Sequence, residues 1–419
     1  MSPRILLVSN GHGEDLSGAL IGTELRRQGL EVEALPLVGH GRAYLQAGLP
    51  LLGRTREYST GGLGYTSGGA RLKEVLEGQA AYLVRRLLLL FRIAGRYALV
   101  VVVGDVIPVV AAWLTRRPVV TYLVAYSSHY EGRLRLPWPC GACLRSRRFR
   151  RVFSRDALTA RDLSAQLGRP VEFLGNPFFD GALAPAEPLA QPPSAGGPGC
   201  AAPQQRLGLL PGSRLPEALH NLELMLRTVE QLEAPWQDPG RLGIHAALVG
   251  KLHGDALAPL AQRLGWRLEL AGEGQGWLRR GPLAVGLEWG RFAAVVQQCD
   301  LLLAAAGTAA EQAVGLGKPV LQLAGAGPQF TENFAEAQRR LLGPSLSCAS
   351  GGPGSAQQLR GTAQLVAELL ERLERDPGFH TALVTNGRER IGSPGGTARM
   401  AADIRAELQG AAPVPQPHA

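Results

Sequence analysis

The residues best suited to chemistry stand directly after apolar, strand-like runs. Gly307 and Thr308 follow the run 301–305, and Glu311 lies about one turn into the small-residue helix predicted next. Gly307 lets a ligand approach the backbone, and the start of a helix offers free N–H groups to a phosphate. Glu311 could accept hydrogen bonds from the hydroxyls of a ribose. The unit therefore suggests a nucleotide-sugar site, although a plain turn with a dipole-complementing glutamate explains the same residues.

A second group with phosphate-binding character follows the predicted strand 207–210. Gly212 and Ser213 can wrap a phosphate with backbone and hydroxyl donors, and Arg214 adds bidentate charge pairing. Each residue taken singly is also explained as part of an exposed loop. Amide and carboxylate groups that suit sugar hydroxyls follow the predicted strand 320–323, and they are Gln329, Glu332 and Asn333.

The first half carries its own candidates at two strand ends. Gly11 and Gly13 allow close approach of a ligand, and His12 between them could act as a base near neutral pH or cap the next helix. Asp105 directly follows a buried apolar run and is placed either to accept a proton from a hydroxyl group or to cap a helix. The acidic residues of the first predicted helical turn are Glu14 and Asp15.

The positive charge of the chain is concentrated in its first half. The formal net charge is +9, with 24 Arg and Lys against 14 Asp and Glu in 1–180, and 20 against 21 in 181–419. The densest block is Arg145–Arg151. It could contact an anionic lipid surface or an anionic acceptor, and it is equally explained as a solvated face. Nucleic-acid binding is not expected, because no recognition motif or aromatic-rich basic strand is present.

No apolar run of about 18 residues is free of charges, so no membrane span is predicted. The segment 82–93 could lie on a bilayer as a basic amphipathic helix, or serve as a core helix. The short run 5–8 is no secretory signal, so a cytoplasmic location is expected, with a peripheral position on the inner face of the membrane as an extension. Cys140 and Cys143 form only half of a zinc site; a redox role is conceivable, and a reduced compartment is the simpler explanation.

The order of predicted elements indicates an α/β fold made of two Rossmann-like, doubly wound domains that face a cleft. In the first half, strands are predicted at 4–9, 30–36, 97–104, 118–124, 151–153 and 170–174, and helices at 14–28 and 107–114. In the second half, strands are predicted at 207–210, 244–250, 283–286, 301–305 and 320–323. A Pro- and Gly-rich stretch lies between them. The predicted divisions are a first domain at 1–180, a linker at 181–205, a second domain at 206–395, and a C-terminal helix and tail at 396–419.

Five segments in this order resemble one family: Gly13–Gly18, Val103–Asp105, Phe173–Asp180, Leu210–Arg214 and Ala306–Glu311. With them the chain resembles the lipid-A-disaccharide synthase family of GT-B glycosyltransferases, and within it the divergent lipid-A-disaccharide synthase-related branch of cyanobacteria and similar bacteria. The chain departs from the family pattern on the acceptor side, at the loop 10–15, at 122–129, and at Asn176, which replaces a histidine.

The resemblance implies a UDP-sugar donor held by the second domain and an acceptor held by the basic first domain. It implies that Asp105 is the base, that Ser213 and Arg214 hold the diphosphate, and that Glu311 lies near the uridine ribose. Gly11, Gly13, Glu14, Asp15 and Asn176 would then lie on the acceptor side.

The leading hypothesis is therefore inverting transfer of a sugar, such as N-acetylglucosamine or an acylated form, from a UDP-sugar to a lipid-linked or other anionic acceptor. The base would be Asp105 or His12, and neither a metal ion nor a cofactor is required. A UDP-sugar epimerase-like enzyme is one alternative. A non-catalytic, membrane-associated protein that binds nucleotide sugars is the other.

Overall fold

The computed structural model describes residues 3–53, 55, 79–191, 202–272, 274–305, 307–325 and 332–409. The chain divides into two compact units. The first contains Met1–Asp180 and Gly392–Ala419, and the second contains Gly181–Ile391. The last helix of the chain therefore belongs to the first unit. From the sequence, 396–419 was predicted as a separate C-terminal helix and tail.

The first unit is built on a parallel sheet in the order β2-β1-β3-β4-β5. The central strands β3 and β4 are fully buried, as strands of a parallel sheet covered on both faces are, whereas β2 and β5 contain charged, partly exposed residues in their first halves. The strands are β1 (Arg4–Ser9), β2 (Glu31–Pro36), β3 (Leu99–Val103), β4 (Val119–Leu123) and β5 (Phe149–Ser154).

The helices of this unit alternate with the strands. The described ones are α1 (His12–Arg27), α2 (Arg42–Gln46), α3 (Gln79–Ile93), α4 (Val106–Leu114), α5 (Ser128–Glu131), α6 (Cys140–Arg145), α7 (Ala157–Leu167), α8 (Pro177–Gly181) and, at the end of the chain, α17 (Gly396–Gln409).

Helix α17 is fixed to the first unit by packing and by a cap. Met400 and Ile404 are buried in the same apolar cluster as Leu7 of β1. The carboxylate of Asp180 accepts hydrogen bonds from the backbone N–H groups of Gly395 at 2.7 Å and Thr397 at 2.9 Å. Asp180 thereby satisfies N–H groups that the start of a helix leaves unpaired.

The second unit contains a longer sheet in the order β13-β12-β11-β6-β7-β10-β9-β8. Its strands are β6 (Gln205–Leu210), β7 (Leu242–Leu248), β8 (Arg267–Leu270), β9 (Gln275–Arg280), β10 (Leu283–Trp289), β11 (Leu301–Ala304), β12 (Val320–Gln322) and β13 (Leu346–Ser347). All neighbours pair in parallel except β8 with β9 and β9 with β10, which are antiparallel.

Helices again connect the strands of this unit. The described ones are α9 (Glu217–Val229), α10 (Ala234–Gln237), α11 (Gly254–Leu264), α12 (Phe292–Gln298), α13 (Gly307–Gly315), α14 (Glu332–Leu342), α15 (Ala356–Arg375) and α16 (Pro377–Arg390).

The predicted fold class, α/β with two Rossmann-like domains, is confirmed. The prediction of a strand at 170–174 is wrong, because only a single bridge joins Glu172 to Phe153 and no ladder forms. The antiparallel edge β8–β9 was not predicted. None of the helices in the described part of the chain is long and apolar enough to cross a membrane.

Candidate active site

In the first unit, the loops after β1 and β3 bring polar side chains together. Ser9 and Val103, the last residues of the two strands, are paired in register, so Asn10 and Asp105 follow at the same edge of the sheet. The amide nitrogen of Asn10 donates to both carboxylate oxygens of Asp105 at 3.2 Å. Asp105 also caps α4, because it accepts a hydrogen bond from the Ile107 N–H at 2.9 Å. Both of the predicted placements of Asp105, strand end and helix cap, are present.

The carboxyl group of Glu14 lies beside both of these loops. A Cβ atom added at Gly11 would stand 2.5 Å from Glu14 Oε2, and one added at Gly104 would stand 3.6 Å from Oε1. The missing side chain at Gly11 therefore makes room for Glu14, because carbon and oxygen cannot approach that closely without displacement. The site thus contains two carboxyl groups, Glu14 from α1 and Asp105 from the end of β3.

The proton affinities of these carboxyl groups are raised. Burial, followed by repulsion from Asp105 and Asp15, raises the pKa of Glu14 to about 8. Burial raises the pKa of Asp15 to about 7, although its hydrogen bond from Ser9 opposes the change. Burial also raises the pKa of Asp105, against the hydrogen bonds from Ile107 and Asn10. Carboxyl groups that exchange protons near neutral pH are characteristic of acid–base sites.

A buried hydrogen-bond chain lies behind Asp15. The Tyr44 hydroxyl donates to Ser9 Oγ at 2.9 Å, and Ser9 Oγ donates to Asp15 Oδ1 at 2.6 Å. Among the described residues, Asp15 Oδ2 and the side-chain oxygen of Asn10 have no hydrogen-bond partner, although both are buried. Buried polar atoms without partners are expected where a ligand or water binds. Sequence reasoning did not single out Ser9 or Tyr44, and Tyr44 carries no motif that could have revealed it.

The remaining acceptor-side candidates lie in different surroundings. His12 is the first residue of α1, and the description does not extend to its side chain. Gly13 is exposed, and a Cβ atom there would meet nothing within 4 Å. Asn176 is only 1% exposed; it accepts a hydrogen bond from the Tyr122 hydroxyl and donates to the Arg155 carbonyl at 2.9 Å. The structure therefore gives Asn176 a role in packing the loop before α8.

In the second unit, the predicted phosphate-binding loops are neighbours. Strands β6 and β11 pair up to Leu210 and Ala304, and the Ala305 N–H donates to the Leu210 carbonyl at 2.9 Å. The backbone of Gly212 turns with a φ of 98°, which favours glycine, and a Cβ atom there would lie 3.4 Å from the Ala305 carbonyl. The loop 211–214 and the start of α13 therefore share one edge of the sheet.

The side chains at this edge differ in exposure. Ser213 and Arg214 are exposed, Thr308 is half-buried at the start of α13, and Glu311 is only 7% exposed one turn further on. The first turn of α13 begins at Gly307, where N–H groups and the helix dipole favour an anion. Gln329 lies outside the described residues. Asn333 lies in α14, but its side chain is outside the description.

Two other features from the sequence have defined surroundings. Cys140 and Cys143 are buried, and burial raises the pKa of Cys140 to about 12, so its reactive thiolate form is disfavoured. Within the described residues, no group of three or more His, Cys, Asp or Glu side chains is placed to hold a metal ion.

Most of the arginine block forms internal contacts. Arg145 donates to the Gln166 carbonyl at 2.8 Å, and Arg148 donates to the Trp113 carbonyl at 2.8 Å. Arg151 pairs with acidic residues of its own unit, which are Glu172, Asp403 and Glu407. Of these three arginines, Arg151 is paired with carboxylates, whereas Arg145 and Arg148 donate to carbonyl groups and keep their positive charge.

Solved structures of sugar-modifying proteins are similar to this chain. A protein from Listeria monocytogenes assigned as a UDP-N-acetylglucosamine 2-epimerase shares 15% identity, with 98% of each chain covered and a TM-score of 0.54. S. aureus MnaA bound to UDP shares 13% identity over the whole of both chains, with a TM-score of 0.54. The calicheamicin glycosyltransferase CalG4 shares 20% identity over 98% of this chain and 100% of its own, with a TM-score of 0.53.

The fold is that of the GT-B proteins. Identities this low establish the fold alone. No protein-family model and no curated protein matches the chain.

Proposed function

We propose that this protein is a glycosyltransferase that moves a sugar from a UDP-sugar to a lipid-linked acceptor. The observation that carries the proposal is Asp105, a carboxyl group at a strand end, linked to Asn10 and close to Glu14, with a pKa shifted upward by burial. Such a group can accept a proton from a hydroxyl group at physiological pH. The exposed Arg214 beside the start of α13 supports a diphosphate site in the second unit.

In the proposed reaction, Asp105 accepts the proton of the acceptor hydroxyl, and His12 is the alternative base. The acceptor oxygen forms a bond to the anomeric carbon of the sugar, while the bond from that carbon to the diphosphate oxygen breaks. The electron pair leaves with UDP, and the anomeric configuration is inverted. Ser213, Arg214 and the N–H groups of α13 would stabilise the charge on the departing diphosphate without a metal ion. Gly307, Thr308 and Glu311, with Gln329 and Asn333, would hold the nucleoside and the sugar.

The outer face of α3 supports a lipid-linked acceptor and peripheral attachment to the inner face of the cytoplasmic membrane. Val84, Leu88 and Phe91 are 53%, 56% and 42% exposed, and their i, i+4, i+7 spacing places them on one face. Arg85 and Arg92 are exposed on the same helix, which has no acidic residue. An apolar stripe flanked by arginines suits an anionic bilayer surface. The loop 10–15 and Asn176 depart from the sequence pattern of lipid-A-disaccharide synthases. The proposed acceptor is therefore a lipid-linked molecule in general and not a lipid A precursor in particular.

A UDP-sugar epimerase-like enzyme is the second candidate. The similarity to the Listeria monocytogenes protein supports epimerisation, and the similarity to CalG4 supports sugar transfer. The two similarities are equally strong. An epimerase converts the nucleotide sugar without an acceptor. Product formed from the donor alone would therefore identify it, whereas a transferase releases UDP in step with glycosylation of the acceptor.

The first test is calorimetric titration of the protein with UDP and a panel of UDP-sugars. We expect binding to the wild type and a loss of about tenfold to a hundredfold in affinity in Arg214→Ala, because a charge-assisted hydrogen bond contributes about 1.5–3 kcal/mol. Glu311→Ala should weaken UDP more than it weakens pyrophosphate. A folded wild type that binds none of these ligands would rule out both enzyme proposals. Binding without turnover, with or without lipid acceptors, would instead support a non-catalytic nucleotide-sugar-binding protein.

A further inference from the structure

The position of Glu14 is not explained by helix formation alone. Its carboxyl group lies against the backbone at Gly11 and Gly104, which follow β1 and β3, and Asp105 is the next residue after Gly104. A glutamate in the first turn of a helix ordinarily faces solvent and stabilises the helix dipole as an anion. Here the side chain is turned into the edge of the sheet, next to a second carboxyl group.

Among the described side chains, the charged groups that act on Glu14 are of its own sign. Asp105 acts from the loop between β3 and α4, and Asp15 acts from α1 itself. Tyr44 of α2 reaches Asp15 through Ser9 and contributes no positive charge. His12 begins the same helix. Two ionised carboxylates in one partly buried site repel each other, so one of them retains its proton to higher pH.

We propose that Glu14 is a positioning residue that works as a neutral carboxylic acid, so that Asp105 is the only ionised member of the pair when an anionic acceptor enters the site. Asn10 supports this division, because its amide nitrogen donates to both oxygens of Asp105 and thereby stabilises the anion there. Burial favours the neutral form of Glu14.

The consequence concerns binding more than the bond-making step. With Glu14 neutral, an acceptor that carries phosphate or carboxylate meets one negative charge from the pair of Glu14 and Asp105 instead of two. Loss of the Glu14 proton would add a second charge, and binding of the acceptor would weaken through repulsion. The chemical step still needs only Asp105 to accept the hydroxyl proton. This part of the inference rests on the proposed function, whereas the protonation state of Glu14 does not.

The protonation state can be measured in the intact protein without any substrate. Carboxyl ¹³C NMR of protein labelled at Glu and Asp would be recorded as a function of pH for the wild type, Glu14→Gln and Asp105→Asn. We expect one glutamate signal, absent in Glu14→Gln, to titrate near pH 8 in the wild type and at clearly lower pH in Asp105→Asn. Titration of that signal near the ordinary value of about 4.5 would overturn the inference, and so would a titration that is insensitive to Asp105→Asn.

The consequence for binding is tested by steady-state kinetics with an anionic lipid acceptor. In the wild type, KM for the acceptor should rise severalfold between pH 7 and pH 9, with little change in kcat. In Glu14→Gln, which preserves the shape of the neutral acid, KM should rise much less over this range than it does in the wild type. The matched control is Glu24→Gln on the same helix, where the carboxylate pairs with Arg27 and the wild-type profile should persist.

A Glu14→Gln variant that keeps the rise in KM, or loses kcat as fully as Glu14→Ala, would contradict a neutral Glu14. Absence of any turnover in the wild type would defeat the proposed function, and the NMR titration would still decide the state of Glu14.

Discussion

The two sheet edges that carry the candidate sites differ in which chemical groups are available to a ligand. At the edge of the first unit, the polar groups belong to buried side chains: Asp15 is 1% exposed and Asn10 is 7% exposed. Burial there raises the pKa of Glu14 to about 8. At the edge of the second unit, backbone N–H groups and the exposed Arg214 dominate. Holding a proton near neutral pH requires burial, whereas a diphosphate is recognised by donors that keep their charge. The contrast agrees with the proposal that the first unit transfers a proton and the second binds a diphosphate.

The largest effect that would test this contrast is expected from Asp105→Asn. The amide cannot accept the acceptor proton, so kcat should fall by about 10²–10⁴ while the affinity for UDP stays within about twofold. Asparagine can still cap α4, so the fold should persist. Initial rates and calorimetry on the same preparation would measure both quantities. Full turnover in Asp105→Asn would move the role of base to His12, and His12→Ala would then be the decisive variant.

A smaller effect is expected on membrane binding, which we expect to depend on the surface of the first unit and not on that of the second. Replacing Val84, Leu88 and Phe91 with serine should reduce co-sedimentation with phosphatidylglycerol vesicles by about tenfold or more, because apolar burial is removed. The matched control is Leu270→Ser, since Leu270 is 53% exposed but lies in the second unit. Equal binding of the triple variant and the wild type would reject α3 as the contact. A change in oligomeric mass in size-exclusion light scattering would show that a second copy covers this face.

One added methyl group should disrupt the packing around Tyr44 in the first unit. A Cβ atom at Gly18 would collide with the Tyr44 hydroxyl, which belongs to the chain from Tyr44 through Ser9 to Asp15. We expect Gly18→Ala to lower the free energy of unfolding by about 1–3 kcal/mol, as overpacked cores do. Gly13→Ala is the control, because a Cβ there meets nothing within 4 Å and alanine favours a helix. Chemical denaturation of both variants would measure the difference; equal stabilities would mean that Tyr44 moves aside freely.

The pH dependence of the free energy of unfolding is a separate test of the buried carboxyl groups. The folded-state pKa values of about 8 for Glu14 and about 7 for Asp15 lie above the ordinary values of 4.5 and 3.8. Between these limits the folded state binds more protons than the unfolded state, so both groups stabilise the fold at low pH and this contribution is lost as pH rises to 8. Thermal unfolding should therefore show a decline from pH 5 to pH 8 that is shallower in Glu14→Gln. An unchanged slope would show that Glu14 is ionised in the fold.

The elements with a strong apolar pattern were predictable from the chain alone. The strand 4–9 was predicted with the bounds that β1 has, because its central residues 5–8 are apolar and a glycine-rich turn follows it. The strand predicted at 320–323 also begins at the residue where β12 begins, Val320. The two strands β8 and β9 were missed because β8 alternates over only four residues, while β9 does not alternate and contains a glycine.

By itself, the sequence determined the α/β class, the two-part organisation and the polar loops at Asp105, Gly212 and Gly307, because burial of apolar runs and turn chemistry act over short distances. Tertiary structure alone decided which of these side chains share a site. Tyr44, Ser9 and Asp15 form one chain of hydrogen bonds although 35 residues separate the first two. Packing of α2 against α1 and β1 sets these contacts, and desolvation at this edge raises the pKa of Glu14.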